Sequence, residues 1–296
     1  MFPNQLDSTL LDTNSRLFSP LATQLKALAH IEDTQRAGQV TSQAAFPQLY
    51  EITKNFYRQN SPDLYRNFVP LYHSVWKHTV HSASGPGNMH QDAGVQYFSR
   101  KGYASRMINV WICLDKAVPS ELPPDELGVY VVEPQFPENQ AIYRKLLEHG
   151  IHVTSKSDTS LVDNMQVAGL KLDCKLADLR LTTFPYQTGT MITFSSHLLH
   201  GSKSCSPTQA TEAGSAPPPW HRIALSSVWL HAEDFDSTLL ELPENEFDRL
   251  FLWRHDRETW PDLKKYFTRY CEDECHRIAD IRRLVKLHLA QLHGPQ

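Results

Sequence analysis

The sequence predicts an α+β chain in which a β-sandwich or double-sheet jelly roll sits between helical ends. Three observations carry this. Apolar residues recur at helical spacing over residues 1 to about 60 and again from about residue 244 onward. Between those ends lie several short β-rich runs separated by turn signals. The chain has 296 residues, 41% of them hydrophobic, enough to bury one large core.

In the first helical section, Leu10, Leu11, Leu17, Leu21, Leu25 and Leu28 mark one apolar series. Phe46, Leu49, Tyr50, Ile52 and Phe56 mark another. Asn60-Ser61-Pro62-Asp63 breaks the pattern and offers a new helix start. A helical layer covering one face of a sheet accounts for this section.

The β-rich runs are Val69–Trp76, Met107–Leu114, Leu127–Val132, Met191–Phe194 and Ile223–Leu230. Ala141 to Glu148 reads as a short helix between strands, and residues 152–180 carry no clear period. Ser204 to Pro219 is rich in Ser, Pro and Ala, has almost nothing to bury, and reads as a mobile surface loop. The expected organisation is a single catalytic domain over 1–296. It has a helical layer to residue 66, a β core over 67–235 and a helical segment over 236–296.

A net charge of −4 points away from nucleic acid and from membrane surfaces as partners. No apolar stretch approaches the roughly 18–20 residues of a membrane span. The first residues lack the charged-then-apolar layout of a secretory signal. Five cysteines, at 113, 174, 205, 271 and 275, form no disulfide framework. The expectation is a cytoplasmic monomer or homodimer acting on a small molecule. Cys271, Cys275 and His276 lack the spacing of a zinc site.

Two segments carry the chemistry. His90 and Asp92 flank Gln91, and on a strand two such positions point to the same side. One more histidine would complete a 2-His-1-carboxylate face, the ligand set of non-haem Fe(II) oxygenases. The second segment runs from Gly189 to Ser202 and offers His197 and His200. In one continuous strand these two would face opposite sides, so only one could join a given metal. Arg222 then opens a strand of otherwise uncharged residues. It either enters the sheet interior, where a guanidinium needs an anionic partner, or sits at the rim beside an Asp or Glu.

The order His-x-Asp, apolar strand with Trp, Gly-x-x-x-x-Phe-(x)₅-His-Gly-Ser, then Arg resembles the Fe(II)/2-oxoglutarate dioxygenases. The phytanoyl-CoA dioxygenase branch is the nearest likeness. The resemblance covers roughly residues 70–230 and implies a double-stranded β-helix, a cupin-like jelly roll wrapped by helices. It implies His90, Asp92 and His200 as iron ligands, with Arg222 clamping the far carboxylate of 2-oxoglutarate. It implies Ser202 as a second co-substrate contact, with Trp111 alongside, though Trp111 also reads as simple core. The implied cofactors are Fe(II), 2-oxoglutarate and O₂, and the implied reaction hydroxylates an unactivated C–H with release of succinate and CO₂. Related halogenases have a small residue where Asp92 stands, so the carboxylate points to oxygenation.

Two features depart from the family. Arg222 follows His200 by 22 residues, a gap widened by the 204–219 segment. Closing a longer loop costs little, so strand register can survive it. Glu133-Pro134-Gln135-Phe136 stands where relatives carry Pro-Gly-Ser-His. The substrate is expected to be an amino acid or secondary metabolite, with His81, Tyr97 and Arg106 as candidate contacts. Lys77 and Arg100 stand nearby in the sequence, and each of these also reads as an ordinary surface residue. The competing readings are a catalytically silent jelly-roll binding protein and a metal-dependent cupin-like enzyme that ignores 2-oxoglutarate.

Overall fold

The computed structural model describes residues 6–31, 38–39, 46–79, 91, 98–101, 104–117, 128–148, 165–167, 170–172, 178–184, 187–202, 221–241 and 281–293. Its elements in order are β1 (Leu6–Leu10), α1 (Phe18–Ile31), β2 (Gly38–Gln39), α2 (Phe46–Asn60), α3 (Pro62–Asn67) and β3 (Phe68–Thr79). Then come β4 (Met107–Ala117), β5 (Val129–Val132), α4 (Pro137–Glu148), β6 (Met165–Val167), β7 (Leu170–Leu172) and β8 (Leu181–Phe184). The series closes with β9 (Thr190–Ser195), β10 (Leu199–Ser202), β11 (His221–His231) and a 3₁₀ turn, Ser237–Leu240. A helix over 281–293 follows.

The strands form a six-stranded sheet in the order β1-β9-β4-β11-β3-β2 and a three-stranded sheet in the order β10-β5-β8, with β6 and β7 as a separate pair. All strand pairs are antiparallel. Consecutive strands β4 and β5, and again β9 and β10, lie in opposite sheets. Strands that wind alternately between two facing sheets make a jelly roll, and this strand order is that of a double-stranded β-helix.

Alternation along β11 assigns its two faces. Ile223, Leu225 and Trp229 pack with Phe18, Leu21, Leu25, Leu49, Tyr50, Tyr57 and Leu284 from the helices. Ala224 packs the other way, with Trp111, Cys113, Ile192 and Phe194 against Val129–Val132 and Leu199 of the small sheet. The large sheet is thus covered on both faces. Eight consecutive residues of β4 are buried, which is why β4 reads as an unbroken apolar run.

Local chemistry sets the helix starts. The Ser15 hydroxyl accepts from the Phe18 amide at the head of α1. Pro62 occupies the first turn of α3, where its missing amide hydrogen costs nothing. At the start of α4, the Asn139 side chain donates to the carbonyls of Glu133 and Arg180 and accepts from the Arg180 amide. Pro137 opens α4, four residues ahead of the expected Ala141.

One expected helical stretch is a strand. Leu6–Leu10 pairs with β9 at the edge of the large sheet. The edge of β9 presents backbone groups that need partners, and this pairing outweighs the weak helical period of the leucines. Leu10 is 61% exposed, so it never had an apolar face to join. Among the described residues no helix is long and apolar enough to cross a membrane. The Ser204–Pro219 loop and Cys174, Cys205, Cys271 and Cys275 lie outside the described residues.

Candidate metal and co-substrate site

His200 is the second residue of β10, opposite Val131 of β5. Its ring meets Phe194 edge-on, centroids 4.7 Å apart, and the residue is buried. Since Phe194 belongs to the core between the sheets, the imidazole lies inside the jelly roll. Its Nδ1 is 2.9 Å from the Leu198 carbonyl oxygen. A carbonyl only accepts, so the proton sits on Nδ1 and the lone pair on buried Nε2. This is how a metal-binding imidazole is oriented: one nitrogen held by a backbone carbonyl, the other free of its proton.

The residues around His200 are fixed for stated reasons. A Cβ on Gly201 would lie 2.6 Å from Cζ of Tyr130, which crosses over it from β5. An alanine there would have to push the Tyr130 ring aside. The Tyr143 hydroxyl, from α4, donates to the Val132 carbonyl and accepts from the Leu199 amide at 2.8 Å. It bridges β5 and β10 one residue before the imidazole. Ser202 is in register with Val129, two positions past His200.

His197 is not in the same strand as His200. Residues 196–198 are a turn between β9 and β10, so the alternation expected across 197–200 does not apply. The turn forms because the chain must pass from one sheet to the other within three residues. The two rings still diverge. His197 is buried, and its Nε2 donates to the Ser105 carbonyl at 3.0 Å. Burial lowers its pKa, so the ring is a neutral packing group.

Arg222 is 1% exposed, which settles its position in favour of the interior. It stands two residues before Ala224 on β11 and shares its face, in register with Lys116 of β4 and His78 of β3. The Cys113 thiol, facing the same interior, feels its charge, although burial is stronger and pushes that thiol up to about 12. Trp111 also faces the interior, opposite Ser226 and Ile192. It is 6% exposed, and its indole Nε1 has no hydrogen-bond partner among the described residues. A buried guanidinium is a planar fork of donors, the geometry that suits a carboxylate.

His90, Asp92, His81 and Tyr97 lie outside the described residues, and among the described residues no three His, Cys, Asp or Glu form a metal group. Gln91 is described. It is buried, and its Nε2 donates to the His197 carbonyl at 2.5 Å. Nothing in composition or period marks this residue. Only its place between two candidate ligands does. Arg106 is taken up by carboxylates: its guanidinium donates to Asp234 at 2.8 and 3.0 Å and to Glu233 at 2.8 Å. Arg100 likewise contacts Ser237 and Asp236. In the Glu133–Phe136 turn that leads into α4, Glu133 accepts from Thr182 and Gln135.

No family model and no curated protein matches the sequence. Among solved structures, the chain is similar to HygX from Streptomyces hygroscopicus with nickel and 2-oxoglutarate bound, at 12% identity and TM-score 0.43. The match covers 77% of this chain and 83% of that one. It is similar to the epimerase SnoN in complex with Fe3+, alpha ketoglutarate and nogalamycin RO, at 13% identity and TM-score 0.41, over 77% and 80% of the two chains. It is also similar to AviO1 from Streptomyces viridochromogenes Tue57, at 12% identity and TM-score 0.40, over 79% and 92%.

Proposed function

We propose that the chain is a non-haem Fe(II)- and 2-oxoglutarate-dependent oxygenase. It acts as one catalytic unit over its 296 residues and hydroxylates an unactivated C–H of a small molecule, an amino acid or secondary metabolite. The observation that carries this reading is the pairing of His200 and Arg222. One presents a proton-free Nε2 and the other a buried guanidinium, from opposite sheets into the same interior.

The residues fit both groups. His200, with His90 and Asp92 from the His-x-Asp segment, would hold the metal. Arg222 would hold the C5 carboxylate of 2-oxoglutarate with a bidentate fork, and Ser202 and Trp111 would flank it. Bound iron with 2-oxoglutarate and O₂ supplies the oxidising power that no side chain has. The protein's own part is orientation and exclusion of water. The Leu198 carbonyl keeps the His200 proton on Nδ1, and Phe194 holds the ring plane. The apolar walls from Ile192, Phe194, Val129 and Val131 keep the interior dry, which strengthens the charge pairing at Arg222.

The test is turnover of 2-oxoglutarate. Full-length protein with Fe(II), O₂ and 2-oxoglutarate should release succinate, faster when the right small molecule is added from a metabolite panel. Succinate release that ignores Fe(II), or none with iron bound, would leave a metal-binding jelly roll without this chemistry.

A further inference from the structure

We infer that Gln91 is a positioning residue that sets the two halves of the metal-ligand set against each other through one buried amide. The inference rests on the metal site proposed above.

The candidate ligands come from two distant parts of the chain, and Gln91 is 106 residues from the carbonyl it binds. Were the segment extended, the residue between two ligands would turn away from the metal and into the protein. Gln91 does point into the protein. It is 5% exposed, and its Nε2 donates at 2.5 Å to the His197 carbonyl.

The turn it reaches is rigid. The Ser196 hydroxyl donates to Asn109 Oδ1 at 2.6 Å, and the Ser196 amide to the Met107 carbonyl at 3.0 Å. The His197 ring donates to the Ser105 carbonyl. The Leu198 amide closes the turn on the Ser195 carbonyl at 2.9 Å. These contacts fasten the turn to β4 and the segment before it. The next carbonyl along, that of Leu198, is the one that orients His200. Gln91 therefore joins His-x-Asp to the peptide beside the group that aims the distal histidine. A long neutral amide has this reach with a donor, no charge and little bulk. A carboxylate would face the carbonyl oxygen lone pair to lone pair, and an ammonium would bury a charge.

A merely structural hydrogen bond and a positioning one part company in the folded protein. Losing the first lowers stability and leaves native metal affinity alone. Losing the second lets the ligands drift, and partners of this kind are typically worth about 10–100-fold in metal affinity. The experiment titrates full-length protein with Co(II), read by its visible spectrum, beside urea unfolding of the same samples. Gln91→Met keeps the volume and removes the donor. Its Co(II) dissociation constant should rise tenfold or more, with a weakened or shifted spectrum. Gln91→Asn keeps the amide one methylene short and should fall between the two. It decides the matter should the Met variant not fold. Wild-type Co(II) affinity in the folded variants, whatever their urea midpoints, would overturn the inference and leave the metal site standing. A wild-type protein whose Co(II) binding is absent or indifferent to His200→Ala would overturn both.

Discussion

His200 and His197 each have one ring nitrogen held by a backbone carbonyl, and they differ in where the ring lies: His200 against Phe194 inside the jelly roll, His197 against the segment before β4. The Leu198 carbonyl keeps the proton of His200 off Nε2, whereas the Ser105 carbonyl holds it on Nε2 of His197. We expect His200→Ala to lose bound Fe(II) in a metal-content assay and His197→Ala to keep it. The reverse pattern would refute the assignment. His197→Ala still empties a buried site, so its free energy of unfolding in urea should fall by about 1–3 kcal/mol. Gly201→Ala should cost a similar amount, because its Cβ meets the Tyr130 ring and overpacked sites lose about 1–3 kcal/mol. An alanine variant as stable as the parent would mean that Tyr130 moves aside freely. His200 and Arg222 were singled out in the sequence as candidates, the one in a His-Gly-Ser stretch and the other as a charge opening an apolar strand. Gln91 and Tyr143 were not, because their roles come from partners 106 and 56 residues away.

The helix over 281–293 docks on the outer face of the large sheet through buried histidines and aromatics. The Tyr50 hydroxyl is 2.6 Å from His288 Nδ1, and the His288 ring meets Tyr65 and Trp229 edge-on. His73 is fully buried, edge-on to Tyr50, Tyr57 and Trp229. Burial lowers the pKa of His73 to about 3 and of His288 to about 4. Both are therefore neutral in the folded state when the unfolded chain begins to bind protons near 6.5. Stability from this cluster is complete above pH 6.5 and falls as the pH drops toward 4. The slope approaches 1.4 kcal/mol per pH unit for each histidine. Urea unfolding between pH 7 and 4.5 should show that slope, and His288→Gln should flatten it by about half. A pH-independent midpoint would contradict the burial. Asp234 acts in a lower window. Burial opposes its charge, but hydrogen bonds from Arg106 and Lys101 outweigh that and hold its carboxyl well below the usual range. Its contribution is lost only once the pH falls below the ordinary carboxylate values. At this scale the sequence named the five main strands, because their apolar runs are long. It missed β1, whose strand state comes from pairing with β9 and not from its own composition.

At the scale of the whole molecule, two sheets face each other, and each carries one part of the proposed site. The small sheet brings His200 on β10, and the large sheet brings Arg222 on β11. After residues 203–220, β11 pairs with both β3 and β4 from His221 onward. Shortening 204–219 to a few Gly and Ser residues should therefore leave iron content intact. Iron loss from that variant would place the segment in the site itself. The jelly roll was legible from the spacing of strands and turns, while the side of the sheet on which Arg222 lies was not, since a residue near a strand's start can face a core or a rim. The most direct measurement of the account is 2-oxoglutarate binding to the anaerobic Fe(II)-loaded protein, followed by its visible absorption, in the parent and in Arg222 variants. Truncating one member of a buried carboxylate–guanidinium pair typically costs about 2–5 kcal/mol. Arg222→Ala should weaken 2-oxoglutarate by well over tenfold with iron content nearly unchanged. Arg222→Lys should recover only part, because an ammonium lacks the planar fork. Unchanged 2-oxoglutarate affinity in Arg222→Ala would contradict the account and favour a jelly roll that uses its metal without this co-substrate.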